Sequence, residues 1–304
     1  MSEAVILTGA TGFVGRAVLA ELVIRGIPVH AVSRSPGPGI AGVTWHSADL
    51  LRAEGRARVS TLAPRLVHCA WEVEHGVFWT SHRNQIWREV SRDLVRRFRS
   101  EGGGQVLALG TCAEYDPVLS GLWSETRPLR STTPYGEAKA SLHADLATLC
   151  GSDLIWARLF HLYGPGEDRR RFVPSLIDAL CDGRPAEVRA AKLERDFAST
   201  AHVARCLVGL LQMRATGIFN VGSGEIRPLG DLARVLAWAI GRPDLLKLSH
   251  RPGPGDPQLM APDLTRLRAH LGDLVEFPEI GLMDLLHDKR GVVAELPPQQ
   301  ASRS

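Results

Sequence analysis

The stretch "AVILTGATGFVGRAVLAELVIRGIPVHAVSRS", residues 4–35, decides the fold. Its opening apolar run is typical of a parallel strand that is covered on both faces. A glycine-rich turn follows, and Val14 and Val18 then continue at helical spacing. Gly26 ends this helix, and a second apolar run follows it. The order strand, glycine turn, helix and strand predicts the first βαβ unit of a doubly wound α/β sheet.

Three glycines shape the turn between the first strand and the helix. Glycine at these places permits a tight turn, close approach of the backbone to a pyrophosphate, and close packing of helix on strand. The helix N-terminus then faces the phosphates. An incidental glycine-rich turn is the alternative, but the position between a strand and a helix favours a dinucleotide site. The residues expected to contact the cofactor here are Gly9, Thr11, Gly12, Phe13, Val14 and Gly15.

The end of the second strand bears on which nicotinamide cofactor is used. An acidic residue there would bond the ribose 2′-hydroxyl and repel a 2′-phosphate. This chain has Ser33 and Arg34 instead, a hydroxyl and a guanidinium that suit a 2′-phosphate. The sequence therefore favours NADP over NAD, unless Arg34 is merely a surface residue.

Composition narrows the class of protein. At 304 residues, the chain can form one large domain or a large domain with a smaller lobe. The net charge of +3 is spread along the chain, and the densest basic run, "GEDRRRF", also carries acids. Such a distribution argues against a nucleic-acid partner and leaves a few arginines for small anionic ligands.

Cysteine usage and the first residues indicate a cytoplasmic protein without a metal or a membrane anchor. The five cysteines are odd in number and show no metal-binding spacing, which favours reduced thiols. The first apolar run breaks at a glycine, so it is too short for a signal peptide or a membrane span.

The run "TTPYGEAKASLHADL", residues 132–146, places Tyr135 and Lys139 four residues apart. On a helix this spacing puts both side chains on one face. A proline suits the first turn, with Thr132 or Thr133 as the cap. Taken alone, the run is also compatible with an ordinary helix in which the tyrosine packs and the lysine is solvated.

Further strand-like runs alternate with helical segments, as expected for a doubly wound parallel sheet: "GVTWHSADL", "RLVHCAW", "QVLALGTCAEY" and "DLIWARLFHLYGPGE". The chain resembles the extended short-chain dehydrogenase/reductase family, which includes nucleotide-sugar epimerases, dehydratases and ketoreductases. The resemblance rests on motifs that follow one another in the family's order: "TGATGFVG", "ADL", "VHCAW", "GTCAEY", "YGEAK", "RLFHLYGPGE", "RDF", "FNVGSGE" and "RPGPGD".

The resemblance implies a catalytic set of Thr111, Tyr135 and Lys139. Tyr135 would move the proton, and Thr111 would orient the substrate oxygen. Lys139 would hold the nicotinamide ribose, and its ammonium would lower the pKa of the phenol, which is about 10 when free. The further cofactor contacts that the resemblance implies are Asp49, Leu50, Cys69, Ala70 and Phe160.

Other positions are expected at the substrate. Arg195 and Arg251 fall where the family binds a diphosphate, although either can be a structural or surface arginine. His161 replaces an asparagine that often contacts substrate. Asn84 falls where the family often has an asparagine near the cofactor, and a helix cap is an equal alternative.

The loop "WEVEHGVFWTSH", residues 71–82, is expected at the ligand-binding edge of the sheet. Trp71 and Trp79 wall the sugar pocket, stack on a base or pack the loop against the domain. His75 and His82 have no metal-ligand support in the sequence and are left unassigned.

Departures from the family pattern favour one reaction. Sugar dehydratases of the family place an acid shortly after the catalytic threonine, where this chain has Cys112 and Ala113. Glu114 comes next and, on a strand, would point to the opposite face. We therefore expect an NADPH-dependent reductase of a nucleoside-diphosphate 4-keto sugar, commonly a 6-deoxy one. The alternatives are an epimerase with tightly bound NAD, a reductase of a non-sugar carbonyl, and a catalytically silent cofactor-binding regulator.

The resemblance also predicts how the chain is divided. Residues 1–165 with 196–221 are expected to form the NADP-binding Rossmann domain, and 166–195 with 222–304 a smaller substrate-binding lobe.

A homodimer is expected, because family members often dimerise through two helices, here about 84–100 and 134–150. Burial of the same helices within one subunit would give similar patterning. The apolar positions are Ile86, Val90, Leu94 and Phe98 on the first helix, and Ala138, Leu142, Leu146 and Leu149 on the second.

Overall fold

The computed structural model describes residues 3–35, 37–274, 281–282 and 285–286. The predicted lobe extends to residue 304, so its last part lies outside the described residues. The strands of the described part are β1 Val5–Thr8, β2 Val29–Ser33, β3 Val43–Ser47, β4 Arg65–His68, β5 Val106–Thr111, β6 Leu154–Leu159, β7 His161–Tyr163, β8 Ala186–Val188, β9 Glu194–Ser199, β10 Gly217–Val221, β11 Ile226–Pro228, β12 Leu246–Leu248 and β13 Leu259–Met260. The helices are α1 Phe13–Ile24, α2 Ala53–Val59, α3 Arg83–Ser100, α4 Pro134–Cys150, α5 Phe172–Cys181, α6 Thr200–Gln212, α7 Leu229–Ile240 and α8 Thr265–Leu271.

A seven-stranded parallel sheet forms the centre of the molecule, in the order β10-β6-β5-β4-β1-β2-β3. Val5 of β1 pairs with Val29 of β2 on one side and with Arg65 of β4 on the other. The chain therefore winds outward in both directions from β1, and the predicted doubly wound α/β fold is confirmed. In such sheets ligands bind at the carboxyl ends of the strands, where the strand order reverses. Here that point lies between β1 and β4.

Helices cover both faces of this sheet. Apolar residues of α1, α6 and α8 form one buried core with the sheet, and residues of α2, α3 and α4 form another on the opposite face. Apolar residues accordingly predominate in these strands, and β1, β4, β5 and β6 are buried at every position.

The apolar faces of α3 and α4 are used inside the chain. Val90, Leu94 and Phe98 are at most 6% exposed, and Leu142 and Leu146 at most 1%. They pack in the core beneath the sheet, which explains their helical spacing without a second subunit. Ile86 alone of the predicted α3 set is exposed, at 44%. The homodimer stays a prediction.

The smaller lobe has its own core. Strand β9 pairs with β7, β11 and β13, while β8 pairs with β12. Helices α5 and α7 pack together over Phe197 and neighbouring apolar residues. The predicted division at 195/196 falls within β9, which belongs to the small sheet, whereas α6 and β10 belong with the large one.

A buried carboxylate joins the two sheets. Asp196 is fully buried in β9, and it accepts hydrogen bonds from the amides of Ser223 and Gly224, each at 2.7 Å. The hydroxyl of Ser223 donates a third bond at 3.0 Å. Because Ser223 and Gly224 follow β10 directly, these bonds fix β9 and its neighbour Arg195 against the large sheet.

None of the helices in the described part of the chain has the length and apolar character needed to cross a membrane.

Candidate active site

A cavity of about 440 Å³ opens at the carboxyl ends of β1, β4, β5 and β6. It takes in most of the residues that the sequence predicted for the site: Gly12, Phe13, Val14, Gly15, Cys69, Trp71, Trp79, Thr111, Tyr135, Lys139, Phe160, His161 and Arg195. The predicted residues that do not line it are Gly9, Thr11, Ser33, Arg34, Asp49, Leu50, Ala70, Asn84 and Arg251.

The glycine turn at the start of α1 fits a pyrophosphate. Gly9 has φ +68°, and a Cβ there would come within 2.8 Å of the Ala70 amide nitrogen. A Cβ on Gly15 would lie 2.0 Å from the Gly9 carbonyl oxygen. Gly12 precedes the helix and has no side chain to cap it. The first-turn amides that a helix leaves unbonded are therefore available to an anion.

The two residues that suggested NADP lie just beyond this turn. Ser33 ends β2, is 9% exposed, and donates its hydroxyl to the Ser35 carbonyl oxygen. Arg34 follows it on the surface. The Ser33 hydroxyl is thus engaged within its own loop, and Arg34 is the member of the pair that is free to reach a 2′-phosphate.

The residues after β3 lie farther along the same edge. Leu50 is 5% exposed, and one carboxylate oxygen of Asp49 accepts the Leu51 amide at 3.0 Å. Asp49 also lies 3.7 Å from the exposed Arg52 guanidinium. Their predicted contact with the cofactor stays a prediction.

Thr111 is held firmly at the end of β5. A 3₁₀ turn, Cys112–Glu114, begins directly after it. The Thr111 hydroxyl accepts the Ala113 amide at 3.2 Å, and the Thr111 amide donates to a Glu114 carboxylate oxygen at 2.8 Å. This reciprocal cap fixes the backbone of Thr111 while the residue lines the cavity.

Tyr135 lies beside Thr111 because α4 packs closely on that turn. A Cβ on Gly136 would be 2.1 Å from the Ala113 carbonyl oxygen, so only glycine allows this approach. Thr133, not Thr132, caps α4 and accepts the Gly136 amide at 3.2 Å. Burial raises the pKa of the Tyr135 phenol above its ordinary value, and a hydrogen bond with Thr111 opposes that rise.

Lys139 lies one turn later and is 5% exposed. Its ammonium donates to the Leu109 carbonyl oxygen at 2.9 Å and lies 3.8 Å from the centre of the Trp71 indole. Burial lowers the pKa of Lys139 to about 7. Among the charges that act most strongly on the Tyr135 pKa, Arg171 is the cation that lowers it. The ammonium of Lys139 is directed at Leu109 and Trp71, and its expected lowering of the Tyr135 pKa stays a prediction.

Glu114 corrects one expectation from the sequence. It does not continue a strand, because the chain turns after Thr111. Its fully buried carboxylate points away from the cavity and accepts from the Arg158 guanidinium at 2.7 Å and the Trp156 indole at 3.2 Å. Glu114 does not face the site, as expected, but the reason is this turn and the ion pair with Arg158, not the alternation of side chains along a strand.

Asn84 organises the loop at 71–82 and corrects both of its predicted roles. It is 2% exposed and lies inside α3, where His82 is the N-cap. Its side-chain oxygen accepts the Trp71 indole N–H at 3.0 Å, and its amide group donates to the Phe78 carbonyl oxygen at 2.6 Å. Asn84 therefore neither caps the helix nor lines the cavity. It holds Trp71 in the wall.

The aromatic residues of this loop surround Tyr135. Phe78 and Trp79 meet its ring edge-on, at 4.9 and 5.6 Å between ring centres. The Trp79 carbonyl oxygen accepts the Tyr135 amide at 3.2 Å. Both tryptophans of the loop lie in the cavity wall, and Trp79 is 39% exposed.

The far end of the cavity contains a histidine and two arginines. His161 stacks on Phe197 at 5.1 Å, and its Nε2 is buried without a hydrogen-bond partner among the described residues. Burial lowers the pKa of His161 to about 3, and Arg195 and Arg171 act in the same direction. A neutral imidazole therefore forms part of the cavity wall.

Only one of the two arginines predicted for the diphosphate reaches the cavity. Arg195 is 6% exposed, lines the wall, and donates to the Glu194 and Pro257 carbonyl oxygens at 2.8 and 3.0 Å. Arg251 is exposed on the loop after β12 and does not line the cavity. Its expected place at a diphosphate stays a prediction, and Gln258 and Met260 bring that segment back to β9.

Sequence reasoning missed several cavity residues. The basic run at 166–172 was noted for its mixed charge, but it did not single out Arg171, which enters the wall. Three other cavity residues lie in stretches that the sequence marked but were not themselves predicted: Phe78 in the 71–82 loop, Tyr115 in "GTCAEY" and Asp256 in "RPGPGD". Trp123 and Met260 lie outside the quoted motifs and reach the cavity only through folding. No metal-binding group of three or more acidic, histidine or cysteine side chains occurs among the described residues.

Comparisons with known proteins show the family of this chain. The model of a family described as "NAD dependent epimerase/dehydratase family" matches residues 5–222. A dTDP-4-dehydro-6-deoxy-D-allose reductase of Streptomyces sp is 26% identical over 293 residues, covering 86% of this chain and 89% of that protein. A dTDP-glucose 4,6-dehydratase of Streptomyces griseus is 26% identical over 266 residues, covering 79% and 80%.

A solved structure shows the same fold. The UDP-glucose 4-epimerase of Thermus thermophilus, in complex with NAD, superposes with a TM-score of 0.81 at 24% identity. The match covers 95% of this chain and 100% of that one. Reductase, dehydratase and epimerase thus all occur among similar proteins, and the reaction has to be argued from the site itself.

Proposed function

The chain belongs to the NAD dependent epimerase/dehydratase family and is an NAD(P)-dependent oxidoreductase of the extended short-chain dehydrogenase/reductase type, and we propose that it reduces a nucleoside-diphosphate keto sugar with NADPH. A 4-keto-6-deoxyhexose is the favoured sugar. One observation carries the proposal: among the described residues that line the cavity, none beside Thr111, Tyr135 and Lys139 presents a carboxylic acid to it.

The acids of the site are placed away from the reacting groups. Cys112 and Ala113 occupy the wall after Thr111, and neither can protonate a leaving hydroxyl. Glu114 is bonded to Arg158 behind the wall. Among the described residues that line the cavity, Asp256 is the carboxylate, and its charge acts on Arg195. Elimination of water from a sugar is therefore poorly supported, whereas carbonyl reduction needs only a proton donor.

Tyr135 suits that donor role. Because burial raises the pKa of its phenol, Tyr135 is protonated at neutral pH, which is the form that a reduction consumes. The Thr111 hydroxyl, bonded to the same phenol, would hold the carbonyl oxygen beside it. The reduced nicotinamide supplies the hydride. The carbonyl carbon gains that hydride and the oxygen gains the Tyr135 proton, so a ketone becomes a secondary alcohol.

Other residues of the wall, together with Arg34 outside it, would bind the cofactor and the substrate. The turn at Gly12–Gly15 would hold the pyrophosphate of the cofactor, and Arg34 would reach a 2′-phosphate. Arg195 and Arg171 would bind the substrate diphosphate, since guanidinium forks match phosphate oxygens. The unpartnered Nε2 of His161 would bond a sugar hydroxyl or a phosphate oxygen.

The test is NADPH oxidation, followed by absorbance, with a panel of nucleoside-diphosphate 4-keto-6-deoxy sugars, beside NADH. We expect stoichiometric loss of NADPH with one panel member. Tyr135→Phe should reduce turnover by roughly 10²–10⁴-fold. Tyr115→Phe is the matched control, because Tyr115 also lines the cavity but bonds its hydroxyl to Asn220 at 2.6 Å. Conversion of the sugar with no net loss of cofactor would support an epimerase instead.

A second candidate rests on the aromatic character of the wall. Trp71, Phe78, Trp79, Trp123 and Phe160 all line the cavity, which suits an apolar ketone as well as the apolar face of a sugar. A reductase of a non-sugar carbonyl is favoured if apolar ketones are reduced and nucleoside diphosphates fail to bind.

A further inference from the structure

We propose that Trp71 is a positioning residue for Lys139, whose ammonium the indole face holds in the cavity wall. The ammonium nitrogen lies 3.8 Å from the centre of the indole. A cation within about 6 Å of an indole face is attracted by the ring, and most strongly where water is excluded. Little of the Lys139 side chain is open to water, since it is 5% exposed.

The indole plane is itself fixed. Asn84, at 2% exposure, accepts the indole N–H at 3.0 Å. Its amide group donates to the carbonyl oxygens of Phe78 at 2.6 Å and Ser81 at 2.9 Å, so its own orientation is set by the loop. The chain Asn84, Trp71, Lys139 therefore transmits the position of the 71–82 loop to the ammonium.

The indole face stabilises a buried charge for which hydrogen bonding within the described part of the chain is incomplete. An ammonium has three N–H donors, and one of them is bonded to the Leu109 carbonyl oxygen at 2.9 Å. Burying a charge that lacks partners is costly. An aromatic face attracts the charge without acting as a conventional acceptor, which leaves N–H groups of Lys139 for a bound ligand.

The groups facing the ammonium act on its charge in opposite directions. Burial lowers the pKa of Lys139 to about 7, while Glu114, from the turn after β5, and Cys69, after β4, raise it. His68, at the end of β4, is neutral at pH 7 because burial and Lys139 lower its pKa to about 3. Trp71 favours the charged form and so acts with Glu114 against burial.

The consequence concerns the charge of Lys139 near neutral pH. Loss of a desolvated cation–π contact should lower the pKa of Lys139 by about one unit. The importance of this charge for turnover rests on the proposed function. The pKa of Lys139 does not rest on the proposed function, so the positioning role of Trp71 and the proposed function can fail separately.

The chain offers a direct measurement, because the sequence contains only four lysines: Lys139, Lys192, Lys247 and Lys289. Full-length protein labelled with ¹³C at the lysine side-chain ε-carbon gives four NMR signals, and Lys139→Met identifies the one of interest. Trp71→Leu removes the aromatic face, and Trp71→Phe keeps a weaker one. Trp87→Leu is the matched control, since the Trp87 ring lies 6.4 Å from Trp71 and bonds to Glu72.

We expect the pKa of Lys139 to fall by about one unit in Trp71→Leu, by less in Trp71→Phe, and not at all in Trp87→Leu. An unchanged value in Trp71→Leu, or an equal fall in Trp87→Leu, overturns the proposal. Circular dichroism checks folding. If Trp71→Leu does not fold, the pKa of Lys139 in Trp71→Phe is the test, and an unchanged value there overturns the proposal. Failure of the sugar panel with a shifted Lys139 would overturn only the proposed function.

Discussion

Glu114 and Arg158 form an ion pair of 2.7 Å in which neither side chain is more than 1% exposed. The pair lies directly behind the wall that carries Thr111, and a second oxygen of Glu114 bonds the Thr111 amide. One carboxylate thus links β6 to the catalytic end of β5. Because this carboxylate lies in the link and away from the cavity, we assign it a structural role and not an acid–base role.

Replacing Glu114 should cost stability more than chemistry. Glu114→Gln keeps an oxygen for the Thr111 amide but leaves Arg158 as an uncompensated buried charge. We expect a loss of about 3 kcal/mol or more in the free energy of unfolding, with turnover of the folded protein within a few-fold of wild type. Urea unfolding and steady-state kinetics on the same preparations measure the two effects.

The double variant Glu114→Gln/Arg158→Met is the control for this pair. It should lose less stability than the sum of the two single variants, because no lone charge stays buried. A Glu114→Gln protein of wild-type stability but without activity would instead assign Glu114 an acid–base role.

Lys139 should reduce stability at neutral pH. Its pKa is about 7 in the folded protein against 10.5 for an ordinary lysine. Between those values the unfolded chain binds a proton that the folded chain does not, so this group makes stability rise as pH rises from about 7 to about 10.5. Below that window its full destabilising effect is present.

Lys139→Met should therefore be inactive yet more stable than wild type at pH 7, by on the order of 1–2 kcal/mol, after allowing for the donor lost at the Leu109 carbonyl. The difference should shrink as the pH approaches 10. Urea unfolding at several pH values checks it, with the exposed Lys192→Met as control. A variant that is less stable at pH 7, or a gap that does not vary with pH, contradicts the assignment.

Arg34 should decide between the two nicotinamide cofactors. If it bonds the 2′-phosphate, Arg34→Ala should raise KM for NADPH by roughly tenfold or more and leave KM for NADH unchanged, since one charge-assisted hydrogen bond is lost. Arg92→Ala, an exposed arginine on α3, serves as the control. Equal KM values for NADPH in Arg34→Ala and wild type would make Arg34 a surface residue.

Arg195 and Arg251 should behave differently although both were expected at the diphosphate. Arg195→Lys keeps the charge but loses the planar fork in the cavity, so KM for the nucleotide sugar should rise about tenfold with a smaller change in kcat. Arg251→Lys, outside the cavity, should leave both constants unchanged. An effect at Arg251 equal to that at Arg195 would place the substrate diphosphate nearer the 251–256 loop.

Short-range features were readable from the sequence. The first βαβ unit follows from the glycine spacing at 9, 12 and 15 and from the apolar runs beside it, and α4 was expected over the residues where it occurs, 134–150. Each depends on neighbours within a few turns of the chain: glycine where a Cβ would collide, and a threonine cap before a proline.

The motif order then placed Thr111, Tyr135 and Lys139 in one site, because the carboxyl ends of parallel strands meet at one edge of the sheet. The structure brings all three to one cavity. The direction of the Lys139 ammonium was not readable, since it lies against the Leu109 carbonyl oxygen and the indole of Trp71, which is 68 residues earlier in the loop after another strand.

The sequence alone therefore determined the sheet and the glycine turn, which follow from local spacing, and the order of its motifs pointed to the three side chains that we propose as catalytic. Only the tertiary structure decided that Glu114 faces Arg158, that Asn84 holds Trp71, and that Arg195 but not Arg251 enters the cavity. These outcomes depend on contacts between segments far apart in the chain, where burial and hydrogen-bond geometry, not residue type, select the partner.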